Sequence, residues 1–533
     1  MYILLPVFVL VISGLVILIF NQLRPNFGYS WLISLGAAII TWILIFIMRW
    51  RSPDPIVLLG WNPIDEMTSF LVFHLDLISW PYAFSIATLI LAGLLTSAAR
   101  LESDTGPKVW VASLIVSGSG LLAILAGSPT TLILAWTIID LEELFIILGS
   151  VREEKMIRQA IFSFSVRVVG TMLVVIAMVY SRSHGRLLNL VEVLPDESIY
   201  LLIAVALRLG LVPIHLPYTK AFKYRRELGT MLRLVGPASG LTVLGHLSIP
   251  VLAVQWMPYL SLFIAMGVIY NAVRWLTEED ELTARPYWIV SITGMAVMCV
   301  LNGQNASSVV WGAAMILVGG VAFLYSARHP QIQYIPLLAG LGFAGFPFSP
   351  TSSGWKGLIV GSIDFVEVII ILAHFILMVG MLRHFVKPDD TYPGLDGWVR
   401  VVYPIGLLTL VLSHWLIGAW GWHGSYSAGF WWISLIQLVL ISLGVYLVNR
   451  YKLITDNKGI VLGWLSVFNK NLGSPLSKLF GLNWLYGILL FVYGLLQKVV
   501  VILTTVLEGE GGVLWALLLL TLLISFIFPG GTP

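Results

Sequence analysis

Stretches of about twenty apolar residues follow one another along almost the whole chain, separated by short polar joints. Each is long enough to cross a hydrocarbon core roughly 30 Å thick as a helix, and in lipid a backbone must satisfy its own hydrogen bonds, which a helix does within a single segment. The 533 residues hold about sixteen such stretches. With 11% of residues charged and a mean hydropathy of +0.93, against about a quarter charged in soluble domains, no large extramembrane domain fits. The expectation is an all-α polytopic membrane protein with about 15–17 transmembrane helices.

Spans are read at 2–21, 29–49, 77–99, 109–127, 130–149, 158–180, 198–217, 229–248, 251–274, 286–302, 306–326, 332–361, 362–384, 401–421 and 430–449, with a last one at 513–529. If they alternate, one side collects most of the Lys and Arg residues, including the basic loop 219–233, and the other receives chiefly Arg49, Arg51, Arg182 and Arg186. The positive-inside rule then puts the N-terminus outside. Tyr2–Phe20 lacks a basic start and a small-residue cleavage pattern, so it is read as a retained span. Leu482–Leu507 is apolar enough to cross or to lie flat along its neighbours.

The formal charge of +3 argues neither for a nucleic-acid nor for a strongly acidic partner, so no nucleic acid is expected, and a single cysteine, Cys299, excludes disulfide frameworks and thiolate metal sites within the chain. No Gly-rich phosphate loop, metal-ligand spacing or bis-histidine haem pattern stands out, so no cofactor is expected here.

What carries chemistry is charge inside the spans. Arg208 interrupts LLIAVALRLGLVPIHLP (201–217) just before a Gly210-Leu-Val-Pro213 break and His215. A guanidinium at a helix centre costs at least about 2.5–3.5 kcal/mol in lipid, so it faces a partner or a wet cavity. The fifth span carries Asp140, Glu142 and Glu143. Asp140 and Glu143 share a helical face and Glu142 points elsewhere. At least one of them has to meet a cation from another helix. Arg208 is the candidate, and Arg167 in the sixth span also needs a partner, for which Asp140 or Glu143 is available. A static ion pair that orients the bundle answers the same demand. Arg233 in the eighth span either continues this polar line or snorkels to the headgroups. In the second half, Gly345-Phe-Pro-Phe-Ser-Pro350 breaks the twelfth span, with Lys356 just beyond. Broken spans with a charge at corresponding places in two halves point to inverted repeats around a mid-membrane site. Asp364 and Glu367 share a face at the start of the thirteenth span and His374 lies two turns beyond on roughly that face, as a relay or with the histidine as a hydrogen-bonded packing residue.

At these residues the chain resembles the proton-pumping antiporter-like family: the large membrane-arm subunits of NADH:quinone oxidoreductase, of membrane-bound hydrogenases and of Mrp-type antiporters. The likeness runs over about Phe73–Arg383, in FHLDLISWPYAF (73–84), Ala135-Trp136, QAIFSFSVRVVG (159–170), LRLGLVPIH (207–215) and AGFPFSPTSSGWKGLI (344–359). LEGEGGVLWALLLL (507–520) looks like the end of the largest subunit type, whose lateral helix would fall at 482–507. The resemblance implies two inverted five-helix repeats with helices 7 and 12 broken. Residues 1–108 would hold helices 1–3, 109–248 the first repeat, 251–385 the second and 400–533 the C-terminal helices.

The family's pump uses a fifth-span glutamate, a seventh-span lysine, a central lysine in the eleventh span and a lysine or glutamate in the twelfth. This sequence has Thr137, Arg208 and Gly312 at the first three and keeps only Lys356. An arginine stays protonated and cannot pass its proton on as a lysine does; Asp140, one turn from Thr137, is expected to take over the carboxylate's role. The resemblance implies a non-redox, ion-translocating subunit of an oxidoreductase complex in a prokaryotic cytoplasmic membrane. It would be coupled to a redox reaction such as quinone or hydrogenase chemistry in partner subunits. Its partners are other membrane subunits, cytoplasmic redox subunits indirectly, and lipid. The alternatives are a pumping-deficient structural or docking subunit, or the membrane partner of an inorganic-carbon uptake system.

Overall fold

The computed structural model describes residues 2–24, 28–51, 54–61, 69–101, 107–151, 153–211, 226–248, 257–361, 363–386, 392–422, 424–451 and 511–527, with scattered positions between 487 and 504. His215, loop residues 219–225 and most of 482–507 lie outside them.

The described chain is overwhelmingly helical. In order the helices are α1 (Leu5–Leu23), α2 (Ser30–Arg51), α3 (Ser79–Ser97), α4 (Lys108–Ile124), α5 (Pro129–Ser150), α6 (Glu154–Ser183), α7 (Pro195–Arg208) and α8 (Arg226–Gly245). They continue with α9 (Met257–Thr277), α10 (Glu281–Leu301), α11 (Asn305–Leu324), α12 (Tyr334–Phe343), α13 (Trp355–Leu358), α14 (Phe365–Val386), α15 (Val399–Trp420) and α16 (Trp431–Tyr451). A last helix, α17 (Gly511–Ile527), belongs to a separate compact unit, Ser474–Pro533. Among the described residues nine helical stretches are long and apolar enough to cross a membrane, and the protein is an integral membrane protein.

Burial sorts the helices into a core and a rim. The spans of α10 and α11 are wholly buried inside the protein and α3 nearly so, whereas α1, α2, α6 and α9 leave most of their surface outward. α11 packs on α3, α8, α10 and α15, and α4 joins α8 to α1. In lipid, apolarity alone does not drive such packing; close approach does. The space a side chain at Gly120 would need is taken by Val235, and that at Gly320 by Leu89 and Leu410.

One feature departs from an all-helical reading. Between α2 and α3, β1 (Ile56–Trp61) and β2 (Ser69–Phe73) pair antiparallel, Ile56 opposite Phe73, with an irregularity between Leu58 and Gly60. Phe73 also bridges to Ala126, tying the hairpin to the end of α4.

α7 stops inside its predicted span for a local reason. Gly210 takes φ 71°, its N–H reaches Leu207 O at 3.3 Å, and Leu211 N–H reaches Ala206 O at 3.1 Å. This is the Schellman arrangement, which satisfies the carbonyls at a helix C-terminus. It leaves Arg208 as the last residue of the helix. α12 ends in a related way. Gly345 takes φ 76°, Thr351 Oγ1 donates to Gly342 O at 2.9 Å and to Phe343 O at 3.0 Å, and the chain resumes only in the single turn of α13.

Candidate functional site

Four helices bring five ionisable groups into one buried chain. The inward stripe of α5 is Leu132, Ala135, Trp136, Ile139, Asp140, Glu143 and Ile147, the three- and four-residue spacing of one helical face. Its first turn is set by Pro129 and by Ser128, whose side chain accepts from Thr131 N–H. α6 presents Ser163 and Arg167 toward this stripe, α7 presents Arg208, and α8 presents Arg233 and Ser239; all are buried.

The connections alternate in sign. Arg208 Nη1 donates to Asp140 Oδ2 at 3.0 Å. The other oxygen of Asp140 lies 3.0 Å from Arg167 Nε, an ion pair whose N–H is not aimed closely enough at the oxygen to make a hydrogen bond. Arg167 Nη1 pairs with Glu143 Oε2 at 3.0 Å, and Arg233 Nη1 donates to Glu143 Oε1 at 2.9 Å. Each carboxylate is therefore shared between two guanidiniums, in the order Arg208, Asp140, Arg167, Glu143, Arg233.

Neutral groups fix the geometry. The Arg208 guanidinium lies 4.4 Å from the Trp136 ring centroid, a cation–π contact of the kind worth about 2 kcal/mol when desolvated. Ser239 Oγ accepts from Trp136 Nε1 at 3.1 Å and from Arg208 Nε at 3.4 Å. Ser163 Oγ accepts from Arg167 Nη1 at 3.1 Å. Burial of an unpaired charge is prohibitive, whereas a paired and hydrogen-bonded chain is tolerated.

A second ionic cluster sits at the other end of the α8 face that carries Arg233. Glu281 receives Arg226 at 2.6 Å and Arg328 at 2.7 Å, and Arg100 pairs with Glu227. The buried Arg285 guanidinium fills the space a side chain at Gly229 would need and stacks on Phe323, with its centre 5.4 Å from that ring. At the start of this cluster, burial and the neighbouring Glu281 push the Asp280 carboxyl up.

Several expected members of the pathway fall elsewhere. Thr137 is exposed, and its hydroxyl donates to Ile133 O at 2.7 Å within its own helix. One turn from Asp140, it has rotated out of the buried stripe, so the two do not share the inward face. Glu142 is half-buried and turns to α4, where Ser119 Oγ donates to it at 2.6 Å. Lys356 is exposed, because the single turn of α13 points Trp355 inward and Lys356 out. Glu367 accepts from Asp364 N–H at 3.0 Å at the exposed start of α14. His374 is apart from them, with Nε2 3.0 Å from Phe343 O and its ring among Phe343, Trp355 and Trp311. The hydrogen bonds of Glu367 and His374 thus run to backbone groups, Asp364 N–H and Phe343 O.

The interior of the second half is aromatic. Trp288, Trp311, Trp355 and Phe343 pack around α11 and the end of α12, and Tyr82 from α3 occupies the place a side chain at Gly312 would take. Among the described residues no lysine is buried. Sequence reading missed Tyr82, Ser239, Ser163 and Arg285. Ser239 in GPASG was open to inspection, but nothing near Tyr82 in the sequence announces a contact 230 positions away.

A helical bundle of this build is shared with chains of known multi-subunit membrane complexes. A chain in the structure of the Mrp complex from Dietzia sp. DQ12-45-1b matches with a TM-score of 0.66 at 14% identity, covering 94% of this chain. A chain of the membrane-bound sulfane sulfur reductase, an archaeal respiratory membrane complex, matches with a TM-score of 0.69 at 13% identity, covering 98% of this chain and 99% of that one. This chain spans only 63% of the length of the Mrp chain. No protein-family model matches the sequence, and no curated protein does.

Proposed function

We propose that this protein is an antiporter-like subunit of a multi-subunit energy-converting complex of a prokaryotic cytoplasmic membrane, with its N-terminus outside. It moves a proton or Na⁺ by a step centred on α5–α8, coupled to a redox reaction in partner subunits. α4–α8 and α9–α14 serve as its two inverted repeats. The observation that carries the reading is the sharing of Asp140 and Glu143 between successive guanidiniums. Neutralising or displacing either carboxylate changes the field on two cations at once, so a disturbance at Arg233 is felt at Arg208. The arginines hold and steer charge, and the carboxylates are the groups that can exchange a proton.

A second reading, a structural or docking subunit that has stopped pumping, is favoured by Tyr82 over Gly312 and by the outward Lys356. With the central position filled by a phenol, no buried lysine joins the two halves among the described residues. Reconstitution of the whole complex in liposomes separates the two. Asp140→Asn and Glu143→Gln are expected to lower ion translocation per electron transferred; an unchanged ratio in both would remove the first reading and leave the second.

A further inference from the structure

α7 carries a charged residue at each end of one buried face. Its inward stripe is Glu197, Ser198, Leu201, Ala204, Val205 and Arg208. Glu197 and Arg208 are eleven residues apart, which on an α-helix brings them within about 20° of one line and separates them by about 16 Å along the axis. The Arg208 end is answered by Asp140 and Trp136. The Glu197 end is not answered in kind.

Glu197 is 1% exposed, and among the described residues neither carboxylate oxygen has a hydrogen-bond partner. Its neighbour Ser198 is already engaged, donating to Leu194 O at 2.9 Å and accepting from Ser248 N–H at 3.0 Å. The segment after Ser248, IPVLAVQW over 249–256, contains no basic residue, so its side chains supply no counter-charge. A place in the first turn of α7 sets the carboxylate at the positive end of the helix dipole, which eases its charge but leaves its lone pairs unmet. A carboxylate shut away from water needs a cation or a proton.

We infer that Glu197 binds a monovalent cation, a proton or Na⁺, at the end of α7's buried face opposite Arg208. It is the ion-binding carboxyl of the far side of the first repeat, a role that rests on the ion-moving reading above. The binding itself is measurable without transport.

The test uses the purified intact complex in lipid. If the ligand is a proton, infrared difference spectra between acid and alkaline buffer contain a protonated-carboxyl stretching band that Glu197→Gln removes. If it is Na⁺, the unfolding temperature rises in sodium chloride over choline chloride, and Glu197→Gln abolishes that rise. Should Glu197→Gln fail to assemble, Glu197→Asp is expected to shift the same band or the same sodium dependence. A band and a sodium response that are both identical in wild type and variant overturn the inference. Ion translocation by Asp140→Asn is measured separately, so the inference and the functional reading fail on different results.

Discussion

Tyr82 stands over Gly312, its phenol ring lying where a Cβ at 312 would be placed. The contact joins α3 to α11 at the centre of the bundle, where both helices are buried. Gly312→Ala is expected to destabilise the protein by about 1–3 kcal/mol, the usual range for overpacking a filled core. In a Tyr82→Ala background the same change should cost much less, since the space has been opened. Thermal unfolding of the two single variants and the double variant measures the coupling; strictly additive effects would mean that the two residues do not touch.

Asp140 is held by Arg208 and Arg167 together. Asp140→Asn keeps the volume but leaves two buried guanidiniums short of their shared counter-charge, and removal of one partner from a buried ionic network typically costs about 3–5 kcal/mol. Glu142→Gln touches only the half-buried contact with Ser119 and should cost under about 1 kcal/mol. Chemical or thermal unfolding of both variants in the same detergent gives the comparison, and equal losses would contradict the geometry.

Thr137 and Lys356 occupy positions that the family resemblance singles out, yet both face outward. Thr137→Val and Lys356→Met are expected to change stability by no more than about 0.5 kcal/mol, as surface substitutions do, and to leave the translocation ratio of the complex unaltered. A loss as deep as that of Asp140→Asn would bring either residue back into the path.

Outside the spans, Asp76 joins the start of α3 to the end of α8 through His246, with Oδ2 2.6 Å from Nε2. Burial pushes the Asp76 carboxyl up, but the hydrogen bond and charge of His246 and the donors of Ser79 outweigh it and hold the group well below the usual carboxylate range. A depressed carboxyl stabilises the fold above its ordinary titration range, near pH 4, and loses that contribution as the pH falls toward its folded value. Asp76→Asn should therefore lower stability by about 1.5–3 kcal/mol at neutral pH and by progressively less in acid. Unfolding temperatures of wild type and variant measured from neutral to acid pH would show the gap closing; a constant gap would mean that the charge on Asp76 is irrelevant.

Much of the helical order was legible because apolar length and terminal charges are local properties. The span read at 362–384 became α14, Phe365–Val386, and that at 401–421 became α15, Val399–Trp420. The pairing of β1 with β2 escaped a reading tuned to helix length, although their Ile, Val, Trp and Phe residues suit strands. In the site, the demand that Arg208, Arg167 and the α5 carboxylates find partners followed from the penalty for bare charge in lipid. Which way Thr137 faced did not follow. Three residues on a helix differ by about 60° in direction, and periodicity does not say where the edge of a buried stripe falls. The outward direction of Lys356 was not legible for a related reason: it is decided by a single turn held between Thr351 and Ile359, not by a long amphipathic pattern.

The buried chain contains three guanidiniums and two carboxylates, so with all five ionised it holds one positive charge in excess. Such a charge sits within the electrical profile of the membrane. Carried across the full potential it would involve about 2.3 kcal/mol per 100 mV, and a partial displacement involves a proportionate share. A conformational change that shifts these five groups along the membrane normal, with no compensating carboxylate moving beside them, is then electrogenic even if no ion passes, and its equilibrium responds to voltage.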